Sequence, residues 1–232
     1  MLTIKFILKT VVDYLIALLI FLPAMLFSIV AGILIKKDSP GPIFFRQKRF
    51  GKNNRIFELY KFRTMYQDAP QERSQLQSQN EADGFLFKMK LDPRETPFGR
   101  RLRNTGLDEI PQIFNVLRRE MSLVGPRPLP QKDVDLEKLK QNLKLYHQWQ
   151  IRKSVKPGIT GLWQINPGDH SFAEMLKFDE QYVEKYSLWL DFKIMFGTLL
   201  IPVKVLLPKL FRRARSFSKS KEKKIALQKA KD

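Results

Sequence analysis

From Tyr14 to Ile35 the chain reads YLIALLIFLPAMLFSIVAGILI, 22 residues without a charge. As a helix at 1.5 Å per residue this is about 33 Å, enough to fill the ~30 Å hydrocarbon core of a bilayer. No small-residue cleavage pattern follows, which excludes a secretory signal peptide. Lys5 and Lys9 precede the segment, and Lys36, Lys37, Arg46, Lys48 and Arg49 follow it, so the positive-inside rule leaves its orientation open. Pro23 stands near the middle, where it removes a backbone hydrogen bond and can break a helix. Two topologies therefore remain: a re-entrant hairpin of two half-helices with both ends cytoplasmic, and an ordinary spanning anchor. Asp13, four residues after Lys9, is placed to pair with it near the headgroups.

Charge limits the partners. The 232-residue chain has 42 Lys and Arg against 23 Asp and Glu, a net charge of +19, which points to anionic partners: nucleic acid, phosphorylated small molecules or an acidic membrane surface. With no cysteine and two histidines, disulfides, thiolate nucleophiles, Cys-based metal sites and a His-dominated metal site are excluded. An enzyme of this composition has carboxylates and cations for its chemistry. The apolar segment favours membrane over nucleic acid, and no nucleic-acid motif occurs.

The stretch RRLRNTGLDEIPQIFNVL, residues 100–117, sets Asp108 and Glu109 side by side after an arginine cluster. Thr105 and Asp108 fit a helix-capping pattern, Ile110, Ile113, Phe114 and Leu117 follow at helical spacing, and Pro111 places the helix start close to Asp108. Local pattern alone favours plain capping over chemistry at this point. Upstream, residues 55–65 read as the second strand of a hairpin turning at Gly51 to Asn54, with Phe57, Leu59, Lys61, Arg63 and Met65 on one face. Residues 67–83 read as a polar loop or exposed helix. Downstream, MSLVGPRPLP (121–130) is a rigid loop presenting Arg127, a geometry suited to a phosphate. VKPGITGLWQINPGD (155–169) carries Lys156 and Trp163, the latter a stacking platform or a core residue. The apolar stretch after Asp179 is too interrupted to span and predicts interfacial helices. Residues 209–232 have ten cations against two acids, a lipid-facing or solubilising tail.

Taken in order, SPGPIFFRQKRFG, YKFRTM, DPRETPFGRRLRNTGLDEIPQIFNVL, MSLVGPRP, KPGITGLWQI and LDFKIM resemble the bacterial sugar transferases, the monotopic phosphoglycosyl transferase family, over about residues 9–200. The resemblance implies an α+β fold: a single catalytic domain (38–208) behind a re-entrant membrane helix broken at Pro23 (1–37), with a small β-hairpin, amphipathic interfacial helices and the basic tail (209–232). It implies an enzyme at the cytoplasmic face of the bacterial inner membrane. Such an enzyme moves a sugar 1-phosphate from a nucleotide sugar to undecaprenyl phosphate, releases a nucleoside monophosphate, and so initiates surface-glycan synthesis. Asp108 maps to the nucleophile and Glu109 to its partner, the two being the expected ligands of a required Mg²⁺. Lys61, Arg63, Arg103, Arg127, Lys156 and Asp179 are the expected substrate and phosphate contacts. Partners are then the donor, the polyprenyl phosphate and the bilayer, with no nucleic acid and a homodimer left open. Large members carry a further N-terminal membrane region, and this sequence reads as the catalytic-region form.

The sequence departs from the family pattern at Lys9-Thr10, Leu22-Pro23, Lys156 and Asn166-Pro167-Gly168-Asp169, which leaves the dyad intact and donor selectivity open. The chemistry fits the charges. A carboxylate attacking a diphosphate needs cations to neutralise it, which Lys61 and Arg103 supply, and a helix N-terminus would keep Asp108 ionised. Glu109 then holds metal or takes a proton. A catalytically inactive membrane scaffold of the same fold is the alternative, with a basic nucleic-acid-binding membrane protein behind it.

Overall fold

The structure is a computed structural model and describes residues 2–69, 91–166 and 171–201, with the single positions 76 and 89. Most of the polar stretch 67–83, residues 167–170 and the basic tail lie outside the described residues. The mixed helix and strand class is as expected. Its elements are α1 (Leu2–Asp38), β1 (Phe44–Phe50), β2 (Ile56–Phe62), α2 (Pro97–Thr105), α3 (Ile113–Leu117), β3 (Ser122–Val124), α4 (Leu136–Lys140), α5 (Leu143–Arg152), β4 (Gly158–Thr160), α6 (Leu162–Ile165) and α7 (Phe172–Glu184). Residues 188–201 form a last helix, α8.

α1 is one 37-residue helix with Pro23 inside it, where the sequence predicted two half-helices. Proline removes one hydrogen bond, but the apolar residues on both sides are good helix formers and the ladder resumes within a turn. By length and composition α1 can cross a membrane. One side of it stays uncovered, with Leu15, Leu19, Leu22, Leu26 and Ile29 exposed, a stripe water would not tolerate. The other side packs on the domain along the whole helix. Lys9 pairs with Asp191 of α8 at 2.7 Å and with Asp13 at 3.3 Å, Phe21 meets Phe114 edge-on, and Phe27 meets Phe62. At the far end the Phe98 N–H donates to Asp38.

β1 and β2 form the predicted hairpin, pairing Phe44 with Phe62 and Phe50 with Ile56. Alternation buries Phe57 and Leu59 in the main core with Ile113, Val116, Met121, Tyr182 and Ile194. A short parallel ladder, β3 on β4, registers Ser122 with Gly158 and Val124 with Thr160. It needs glycine, because a Cβ on Gly158 would collide with the Gly125 nitrogen. That close approach joins the two Pro-Gly loops identified in the sequence. A second core under them contains Leu129, Trp149, Met175 and Leu176. α8 buries Asp191 and Ile194 and exposes Trp189, Phe192, Phe196 and Leu199, the amphipathic pattern expected of an interfacial helix.

Candidate active site

A helix does start at the dyad, as expected, but as a 3₁₀ helix that runs into α3, and Thr105 does not cap it. Thr105 closes α2 instead: its hydroxyl donates to the Arg101 and Leu102 carbonyls, and Gly106, at φ +72°, caps that helix in the left-handed region. Asp108 and Glu109 then lie in a six-residue 3₁₀ turn, Leu107–Gln112, before α3. Pro111, without an N–H, is accommodated there. The expectation that this helix start keeps Asp108 ionised is not met, because burial of the carboxyl outweighs it. The true capping threonine is Thr96, which accepts from the Gly99 N–H ahead of Pro97.

Around the dyad the structure assembles two of the expected cations. Lys61 Nζ donates to Glu109 Oε1 at 2.5 Å and stands 3.7 Å from Asp108 Oδ2. Arg127 Nη2 donates to the same Glu109 oxygen at 3.1 Å, with its guanidinium 5.7 Å from the Trp163 ring centre. Trp163 sits at the edge of the second core, so it is a packing residue that also carries Arg127. The two carboxylates are set apart electrostatically. Burial pushes the Asp108 carboxyl up, with Lys61 opposing and the charge on Glu109 adding. Burial acts the same way on Glu109, but Arg127 and Lys61 outweigh it and hold that carboxyl at about 2. Adjacent carboxylates whose affinities for a proton are pushed apart are how one site assigns two roles. Burial lowers the Lys61 ammonium against the pull of both acids.

The other expected contacts fall elsewhere. Arg63, at the end of β2, is buried and donates to the carbonyls of Ile35, Ser39 and Pro40. It satisfies the C-terminal carbonyls of α1 and not a phosphate, because the strand ends at Phe62 and the chain turns away. Arg103 is half-exposed and paired with Glu95 at 2.9 Å, near the dyad but not on it. Lys156 belongs to a separate basic cleft. Asp179 acts at one remove: it pairs with Arg152 Nε at 3.0 Å, and Arg152 Nη2 donates to the Arg127 carbonyl while stacking on Trp149 at 5.0 Å. Arg152 is the residue the sequence reading missed. It lies in IRKSVKPG among other cations and carries no signal that it is buried.

The chain Asp179, Arg152, Arg127, Glu109 predicts a positioning role. Arg152→Met should slow turnover on the order of 10-fold or more by loosening the Arg127 loop. Removing one partner of a buried pair also costs about 3–5 kcal/mol. Asp179→Leu with Arg152→Met should recover much of the stability but not the rate, measured as melting temperature against kcat. Recovery of both would make the pair merely structural. Burial raises the Asp179 carboxyl to about 6, against the pull of Arg152.

Among the described residues no group of three or more His, Asp or Glu side chains forms a metal cluster. Magnesium, which keeps several waters and is completed by substrate phosphates, requires only one or two carboxylates. Asp108 and Glu109 fit that mode.

Residues 4–205 match the bacterial sugar transferase family. The chain belongs to it. It is 46% identical over 170 residues to the galactosyl transferase CpsE of Streptococcus agalactiae serotype III (strain NEM316), covering 72% of this chain and 36% of that one. It is 40% identical over 189 residues to the undecaprenyl-phosphate glucose phosphotransferase of Komagataeibacter xylinus, covering 78% of this chain and 33% of that one. The exopolysaccharide production protein ExoY of Sinorhizobium fredii (strain NBRC 101917 / NGR234) is 37% identical over 193 residues, 81% of each. The chain thus spans about a third of the length of the first two relatives.

Proposed function

We propose that this chain transfers a sugar 1-phosphate from a nucleotide sugar to undecaprenyl phosphate at the cytoplasmic face of the bacterial inner membrane, through Asp108. The observation that carries the reading is the pair of buried Asp108 and half-buried Glu109, with Lys61 against both and Arg127 against Glu109. Lys61 and Arg127 face the donor diphosphate and neutralise it. Asp108 attacks the phosphorus bearing the sugar, the bond to the nucleotide's other phosphate breaks, and a nucleoside monophosphate leaves. An oxygen of undecaprenyl phosphate then attacks the same phosphorus and displaces Asp108, so one transfer between two anions becomes two displacements. Glu109 keeps the two cations in place. Magnesium, when bound by the two carboxylates, supplies further neutralisation of phosphate charge.

Two features suit the acceptor. A groove of about 650 Å³ runs along α1 between Met25, Ile29, Ile33, Phe44 and Phe114, with Lys36 and Lys37 at its edge, an apolar bed for a polyprenyl chain beside cations for its phosphate. Contacts near both ends of α1 hold it to the same domain, which favours both ends lying on that domain's side of the bilayer.

The test is a product assay across a panel of nucleotide sugars with Mg²⁺. Nucleoside monophosphate release that requires undecaprenyl phosphate is the expected result. Donor binding without release for every sugar would favour the scaffold and remove the proposal.

A further inference from the structure

A basic cleft of about 660 Å³ lies between the hairpin turn, the end of α3 and the loop before β4, lined in part by Lys52, Arg55, Arg118, Arg119, Glu120 and Lys156. It is not the dyad site. Phe57, in its wall, and Lys61, at the dyad, lie four residues apart on one strand, about 13 Å. Among the described residues, most cations there lack the carboxylate partners that those at the dyad have. Lys52, Arg55, Arg119 and Lys156 make no ion pair and no side-chain hydrogen bond among the described residues, and the one acid, Glu120, accepts from Asn115. Lys156 is half-buried. Burial is the largest influence holding its ammonium down, with Asp13 opposing and Arg119, Lys52 and Lys9 adding to it.

Arg119 supplies a second observation. The Arg119 N–H donates to the Val116 carbonyl and the Glu120 N–H to the Asn115 carbonyl, the paired bonds of a helix end whose following residue is left-handed, a place glycine normally fills. Arg119 occupies it at φ +62°, an outlier for a long side chain without an Asn-type local hydrogen bond. Glycine would be easier to fold there and would remove a cation from the cleft. Strain of this kind collects where a side chain is needed.

We propose that this cleft is a second phosphate-binding site, separate from the dyad, which takes the phosphate of a phospholipid headgroup or of a soluble phosphate ester. Convergent cations that make no ion pair among the described residues repel one another, and a bound phosphate relieves that repulsion while accepting charge-assisted hydrogen bonds. Asp13 on α1 accepts from the Ser122 hydroxyl, and the Ser122 N–H donates to the carbonyl of Pro157, next to Lys156, which places the cleft beside the membrane helix.

The full chain in nanodiscs is titrated with sn-glycerol 1-phosphate, and the full chain in detergent with vesicles of phosphatidylglycerol or phosphatidylcholine. Saturable, salt-sensitive binding is expected, weakened about tenfold or more by Lys52→Gln with Arg55→Gln. Arg119→Gly should raise the melting temperature while weakening phosphate binding, a split that misfolding cannot produce. Binding in both arms identifies a general phosphate site, and binding confined to phosphatidylglycerol vesicles identifies the headgroup. Absence of saturable binding in both arms overturns the inference. So does binding that the cleft variants leave unchanged and Lys61→Gln removes, which would place the phosphate at the dyad.

Discussion

Asparagine in place of Asp108 is expected to lower turnover on the order of 10⁴-fold or more and to abolish any covalent sugar phosphate on the protein. The amide has nearly the carboxylate's shape and almost none of its nucleophilicity. It should fold as well as the parent, because burial already disfavours the Asp108 charge and Lys61 retains its closer partner, Glu109. Incubation with donor and Mg²⁺ but no acceptor, followed by intact-mass and peptide analysis, should find the adduct on Asp108 in the parent and none in the variant. Glu109→Gln acts differently. It removes the charge that both Lys61 and Arg127 contact, so the rate should fall on the order of 10²-fold while the adduct survives long enough to accumulate. Near-parental turnover by a folded Asp108→Asn protein would refute the covalent route and leave direct transfer in a ternary complex.

The dyad and its two cations were legible in the sequence for local reasons. Strand alternation aims Lys61 at the same face as Phe57 and Leu59, which anchor it in the core. The prolines and glycine around Arg127 hold that loop to one course. What alternation could not show was where the strand stops. β2 ends at Phe62, so Arg63, two residues after Lys61 and on the same predicted face, turns to the end of α1. Arg103 lies five residues before Asp108, but Gly106 interrupts the helix between them, and the guanidinium finds Glu95 instead.

Lys156 and Asp179 lie away from the dyad for a different reason: their surroundings come from distant parts of the chain. Asp179 meets Arg152 through the packing of α7 on α5, and Arg152 reaches Arg127 across the β3–β4 ladder that two glycines permit. Short parallel pairing of three-residue strands leaves almost no periodic signal. The capping pattern at Thr105 misled because Gly106, one residue later, is a stronger stop than Thr105 is a start.

Lys9→Met is expected to destabilise the protein by about 3–5 kcal/mol and to loosen the N-terminal end of α1 from the catalytic domain. Lys9 is buried and stands against two buried carboxylates, Asp191 at 2.7 Å and Asp13 at 3.3 Å. Asp13 also accepts from the Ser122 hydroxyl, and Asp191 from the Tyr182 hydroxyl at 2.8 Å. Removing the ammonium leaves both acids without a cation in a low-dielectric site. Replacing Asp191 by leucine as well removes one of them and fills its space, so the double variant should recover part of the loss, and the cycle measures the coupling. The pair also bears on topology, because it ties the start of α1 to the domain that holds its end. The chain has no cysteine, so Thr3→Cys, with Lys132→Cys as the cytoplasmic control, reports sidedness in cells. Neither should react with a periplasmic thiol reagent, and adding Lys9→Met to Thr3→Cys should make a fraction reactive. Labelling of Thr3→Cys with Lys9 intact would mean that α1 crosses the membrane. The contact with Asp191, which lies on the domain side, could then not exist in the bilayer.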